Sequence, residues 1–403
     1  MLRFSGALST AILLAAIAIS PPAAADDELE AAIAREEEQR EAMRSGMASI
    51  VDGVNSGSFA LLAAAVNPDD MLERIFALRL IDQRIKKQYR ESFPEMLESL
   101  IGQTIAQRQQ KPVKARLLGF SSRENRGKAV VRYELENFQF SYHEYELTFD
   151  ERDRLVVIDW TDFYWGERFS DGVGESLVIA APGKSAVRKL IDIRNVSENQ
   201  LFQATEALKA IRDFEVARYL EIVEGMDERL KQQRILVVGG VQMAKQARAR
   251  RQLRTTLRTL AEVYPEDPLY TTLLLDFYFP TRQYEQARDA LTRLGRRLEV
   301  DDAVLEARLS STELVMRNAE AALVHAEKAL ALEDDLELAW WSALRARNAT
   351  GDFAGAVEAL TRLEGDFGYE LEPDALAKDR SLARFLDSDE YSAWLAARAK
   401  PAE

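Results

Sequence analysis

One spacing near the C-terminus limits what this chain can fold into. The stretch Gly351 to Leu360 reads GDFAGAVEAL: a tight-turn pair, Gly351-Asp352, then aromatic Phe353, small Ala356 and finally Leu360. The same order recurs upstream in RQYEQARDAL, at Tyr284, Ala287 and Leu291. It recurs again in NAEAALVHAEKALAL, at Ala319, Ala322, Ala326 and Ala329. Ala287, Ala322 and Ala356 stand 35 and 34 residues apart. A unit of that length holds two helices and a turn, and its apolar face is covered only by the next unit. The C-terminal half is therefore expected to stack into a solenoid, the architecture of a binding scaffold.

This pattern resembles the turn and second helix of the tetratricopeptide repeat. The resemblance frames a helical array over residues 198–370. Its units fall near 337–370, 303–336 and 268–302, with more degenerate units at 234–267 and 198–231. Residues 371–403 contain LARFLDSDEYSAWL, similar to the segment that caps such arrays. The resemblance implies a protein or peptide segment as partner, held on a concave face lined by the first helix of each unit. In the last unit those positions are Leu338, Trp341, Arg345 and Asn348. In the unit starting at Pro268 they are Leu269, Thr272, Asp276 and Phe279, and in the middle unit Val304, Ala307, Ser311 and Leu314. Trp340 takes the packing position and is expected in the core. Trp341 is expected either to anchor a partner in the groove or to pack beneath the cap. The lysine- and asparagine-lined clamp of some family members is missing, so capture of a chain-terminal carboxylate is not expected.

The N-terminus has the layout of an export signal. Arg3 is followed by an apolar run, Ala7 to Ser20, then Pro21-Pro22, the triplet Ala23-Ala24-Ala25 and the acidic Asp26-Asp27-Glu28. That run is short for a bilayer span, and the triplet suits a signal peptidase. Residues 1–25 are expected to be removed, leaving a periplasmic or secreted chain without stable membrane insertion; an uncleaved anchor is the alternative. The chain has no cysteine, which excludes disulfides, thiol catalysis and thiolate metal sites. Its two histidines, His143 and His325, offer few metal ligands, and no metal or other cofactor is expected. A net charge of −14 disfavours nucleic acid as a partner.

Residues 26–183 read as an α+β domain. Leu29 to Ser49 is rich in helix formers, Asn67-Pro68-Asp69-Asp70 is a helix start, and Ser92-Phe93-Pro94-Glu95 is expected to begin another helix. The period then changes. Lys114 to Phe120, Lys128 to Leu135, Phe138 to Phe149 and Leu155 to Trp165 read as strands of an antiparallel meander, with Ser176 to Ala180 as a last strand. This order resembles the cone-shaped nuclear-transport-factor-like or cystatin-like fold, whose members serve as enzymes, ligand pockets and dimerisation modules. The resemblance therefore allows a homodimer through this domain. Asp159 and Asp162 close to His143 would form an acid–base pocket, making the domain a small hydrolase or isomerase whose substrate the repeats recruit. Alternatively the three residues serve the sheet.

Residues 184–197 are expected to link the two parts, and a cut there to yield two independently folding pieces. Gly183-Lys184-Ser185 is similar to the end of a phosphate-binding loop, but Val178 stands where its first glycine belongs, so a turn is the better reading. Lys245, Arg248, Arg250, Arg251, Arg254 and Arg258 cluster in an otherwise acidic chain. They are either a solvated outer face or a dock for an acidic segment or anionic polymer.

Overall fold

The computed structural model describes residues 22–77, 81–106, 113–135, 138–191, 193 and 195–398. The expected export signal falls almost wholly outside them. Four helices open the described chain: α1 (Pro22–Asn55), α2 (Ala60–Ala65), α3 (Pro68–Ala77) and α4 (Gln83–Ala106). Asn67 starts α3 as expected, its Oδ1 accepting from the backbone N–H of Asp69 at 3.1 Å and of Asp70 at 3.3 Å. Ser92 to Glu95, expected as a helix start, instead lies inside α4. The helix runs through Pro94 at the loss of one backbone hydrogen bond.

Five strands follow in the order of the chain: β1 (Lys114–Arg123), β2 (Arg126–Glu134), β3 (Phe140–Phe149), β4 (Leu155–Asp162) and β5 (Glu167–Arg168). All neighbours are antiparallel, as the short turns between them require. One face of the sheet presents Val131, Tyr133, Tyr145, Leu147 and Trp160 to Met43, Met47, Ile75, Phe93 and Leu97 of the N-terminal helices. The other face presents Val130, Phe140, Tyr142 and Phe163, and these are buried as well.

Beyond the sheet the chain is helical. Ser176 to Ala180, expected as a strand, belongs to α5 (Phe169–Ala180). A short apolar run such as SLVIA has no period long enough to separate strand from buried helix. The expected linker 184–197 is not a loose connection. It contains α6 (Lys184–Leu190), and Val187 and Ile191 are buried with Leu201, Leu208 and Leu236 of the first helical hairpins. Those hairpins are α7 (Glu198–Arg212) with α8 (Val216–Glu224), then the short α9 (Glu228–Lys231), then α10 (Arg234–Gln246) with α11 (Arg250–Val263). Ser197 and Gln200 close a capping box at the start of α7.

Three more hairpins complete the array: α12 (Thr271–Tyr278) with α13 (Tyr284–Leu298), α14 (Ala303–Val315) with α15 (Ala319–Leu332), and α16 (Glu337–Thr350) with α17 (Phe353–Gly365). Ala287, Ala322 and Ala356 are all fully buried, so the recurring small residue marks the contact between helices of a stack. Gly351 ends α16 at φ 88°, a left-handed conformation that glycine adopts without strain. Short helices α18 (Pro373–Leu376), α19 (Ala383–Leu386) and α20 (Asp389–Arg398) cover the end of α16 and α17 with Leu376, Leu382, Phe385, Tyr391 and Trp394. The architecture is thus an α+β region followed by a helical solenoid. Among the described residues no helix is long and apolar enough to cross a membrane.

The two regions share a core. Val130, Phe140, Tyr142 and Phe163 of the sheet belong to one buried cluster with Leu257, Leu273, Leu291 and Leu305 of the solenoid. The expectation of two self-sufficient pieces gives way here, because the sheet's second apolar face has no other cover.

Candidate interaction surfaces

The junction between sheet and solenoid is the most elaborate polar site in the molecule. Arg132 projects from the middle of β2 and has no solvent exposure. Its guanidinium binds Asp302, at the start of α14, and Glu333, just past α15, the latter at 2.7 Å. Glu134 completes the set at 2.6 Å. Asp302 also accepts from the Tyr142 hydroxyl and, at 3.2 Å, from the backbone N–H of Leu305, so one carboxylate caps a helix and anchors the sheet. Burial works against the Arg132 charge, but Asp302, Glu333 and Glu134 outweigh it and raise its pKa. Nearby, Arg297 forks onto Glu144 at 2.8 and 3.0 Å, and Arg116 reaches Glu333 at 2.6 Å.

This junction occupies the face where the sequence placed a groove. In the unit starting at Pro268, the turn between β4 and β5 lies against Leu269 and Tyr270. Gly166 sits there at φ 71°, and a Cβ would stand 3.0 Å from the Leu269 carbonyl. Asp276 pairs with Lys245 at 2.9 Å, and the Lys245 ammonium lies 4.4 Å from the centre of the Tyr164 ring. Thr272 is half-buried with its hydroxyl unpartnered, and Phe279 is half-buried beside Tyr284. In the middle unit Val304 and Ala307 are buried, and Ser311 and Leu314 half-buried.

In the last unit the chain's own C-terminal segment covers the corresponding positions. Trp341 meets Tyr369 edge to face at 5.2 Å. Arg345 stacks on Trp341 and donates to Asp379 at 3.0 Å. Asn348 is buried and donates to the Ser381 carbonyl, and Leu338 packs at the margin of the sheet–solenoid core. Of the two roles open to Trp341, the one beneath the cap is what these contacts show, and Arg345 and Asn348 go with it. Trp340 is buried as expected, its indole N–H donating to the Asp334 carbonyl at 2.7 Å.

The acid–base trio is split and packed. His143 faces Asp162 across β3 and β4 at 3.5 Å, and its Nδ1 lies 3.2 Å from the Tyr145 hydroxyl. The Tyr145 hydroxyl meets that of Tyr133 at 2.5 Å, and all four side chains are buried. Asp162 also accepts from the backbone N–H of Tyr164 at 2.7 Å, which shapes the β4–β5 turn. Asp159 belongs to a different set, accepting from the Ser170 hydroxyl at 2.6 Å and from Arg168 at 3.2 Å. These are the partners of structural residues, and no described cleft reaches the three groups.

Sequence reasoning missed a further group at the junction. Glu167 in β5 lies between Arg234, at 3.6 Å, and Gln242, at 3.5 Å, while Arg234 also binds Glu175 of α5. Burial, aided by Glu175 and Asp162, pushes Glu167 up to about 8 against the pull of Arg234. Nothing in a chain order of 167, 175 and 234 signals that they meet.

The basic cluster divides in the fold. Lys245 turns to Asp276. Arg248, Arg250, Arg251, Arg254 and Arg258 remain on the outside of α11 and the turn before it, all exposed. No ion-pair or hydrogen-bond partner exists for their guanidinium groups among the described residues. No family model and no curated protein matches this chain.

Proposed function

We propose that this chain is an exported, non-catalytic adaptor of tetratricopeptide-like build that docks an acidic segment of a partner protein on the outer face of α11. The observation that carries this reading is the set of five arginines without an ionic partner among the described residues. The molecule has a net charge of −14 and engages Arg132, Arg168, Arg234, Arg297 and Arg345 with acids, yet leaves five guanidinium groups side by side in solvent. Arg250, Arg254 and Arg258 follow one another at successive turns, with Arg251 and Arg248 flanking them. Mutual repulsion makes such a row costly without an anionic neighbour, and planar guanidinium forks suit the carboxylates of Asp and Glu. Trp341, Arg345 and Asn348 are already engaged by the C-terminal segment and Leu269 by the β4–β5 turn, which favours a partner's seat on the outside of the array.

The test is binding of a fluorescein-labelled polyglutamate peptide, followed by anisotropy. The intact chain should bind it, and salt should weaken the binding. Charge reversal in Arg251→Glu, Arg254→Glu and Arg258→Glu together should weaken it by more than about tenfold while leaving the circular dichroism unchanged. Equal binding by the reversed variant would show that the acidic segment sits elsewhere and would remove this reading.

A further inference from the structure

The solenoid covers only part of the sheet's second face. Its last ionic contact is Arg297 with Glu144, opposite Val130. Beyond that row, towards the β1–β2 turn, the face is open and surrounds a cleft of about 410 Å³. Ile158, buried to all but 9%, lines its inner part, and the side chains of Ser121, Arg123, Arg126 and Lys128 stand around it. Ile158 is there because the pairing of β3 and β4 shifts register between Glu146 and Leu147, adding an extra residue to β4 at this point.

Charge around the cleft is one-sided. Arg123 lies directly opposite Arg126 in the register of β1 and β2, and Lys128, paired with Glu144 at 3.5 Å, follows two residues along on the same face. Like charges facing each other across a strand pair destabilise it. Both arginines are exposed, and neither guanidinium has a partner among the described residues. The one acid lining the cleft, Glu146, is held by Arg168 at 2.9 Å, so it does not offset them. An anion set between Arg123 and Arg126 would turn a repulsive pair into a bidentate clamp. The volume is that of a site for a small organic ligand.

We propose that this cleft binds an amphipathic anion, with a phosphate or carboxylate head held by Arg123 and Arg126 and an apolar body laid over Ile158. The site is separate from the arginine row of α11 and does not depend on it.

Isothermal titration of the full chain with dodecyl phosphate below its micelle concentration tests this. Binding is expected, with dodecanol and inorganic phosphate each weaker by more than about tenfold, since each lacks half of the ligand. The paired variant Arg123→Gln/Arg126→Gln should lose more than about tenfold in affinity. Without ligand the same variant should melt no lower than the parent, because it removes a repulsion. Dodecyl phosphate should raise the melting temperature of the parent and not of the variant. The triple reversal on α11 should leave this binding intact, which keeps the two sites' tests apart. A second arm uses phosphatidylglycerol vesicles: association that needs Arg123 and Arg126 identifies a lipid head group as the source, and monomer binding alone identifies a free amphiphile. No dodecyl phosphate binding, or equal binding by the paired variant or of dodecanol, overturns the proposal.

Discussion

Arg132 shows how much one side chain can carry. It is enclosed on all sides and holds two buried carboxylates: Glu333, which it shares with Arg116, and Asp302, of which it is the ion-pair partner among the described residues. Replacing it with Met strands Asp302 as a buried charge and leaves Glu333 to Arg116 alone, and breaking such a set typically costs about 3–5 kcal/mol. Chemical denaturation should show that loss as a lower midpoint with an unchanged slope; a loss below about 1 kcal/mol would mean water reaches the acids. Glu167 carries a different signature. Its pKa in the folded chain is about 8 against an ordinary 4.5. The folded state therefore favours the protonated form, and the stabilisation is complete below 4.5 and lost as pH rises towards 8. Glu167→Gln should flatten the fall in thermal stability over that window. If the fall is unchanged in the variant, another group causes it.

At the level of elements, the pattern of small residues was legible because helix stacking leaves a local trace: Ala287, Ala322 and Ala356 repeat within the chain's own order. The strands themselves were legible from their Val, Tyr and Phe content, though β1 and β2 run two to three residues further into their turn than expected, to Arg123 and from Arg126. Glycine usually marks turns, yet Gly172, Gly174, Gly239 and Gly240 all lie inside helices α5 and α10. At Gly172, Gly239 and Gly240 another side chain passes close by. A Cβ on Gly240 would stand 2.5 Å from the Tyr219 hydroxyl, which donates to the Leu236 carbonyl at 2.7 Å. Helix propensity alone says that Gly240→Ala gains about 1 kcal/mol. Packing says that it loses about 1–3 kcal/mol, since Tyr219 is buried and has nowhere to retreat. The sign of the change in denaturation midpoint decides between them, and destabilisation is expected. The candidate groove failed for a related reason. The positions on α12, α14 and α16 were identified from helix periodicity, but periodicity is silent about which other part of the chain lies on that face.

At the scale of the molecule, the sheet is clasped between two helical layers. A hint of this was present in β3, FSYHEYEL, which has none of the clean polar alternation of a half-solvated strand and is buried along most of its length. The partners were not legible, because Arg132 meets acids 170 and 201 residues away. A fragment of residues 198–403 should consequently expose Leu257, Leu273, Leu291 and Leu305 and leave Asp302 and Glu333 without their cation. It is expected to self-associate and to melt without a cooperative transition, as ultracentrifugation and circular dichroism can check, whereas the chain from Asp26 onwards should melt as one unit. A monomeric, cooperatively melting fragment would show that the array stands alone. The clasp also bears on inheritance. One guanidinium serves carboxylates from two distant stretches of the chain, at Asp302 and Glu333, so these positions cannot drift freely without stranding a charge. Descendants of this sequence are held to paired changes across its two halves, and neither half can be exchanged as a cassette with that of an unrelated protein.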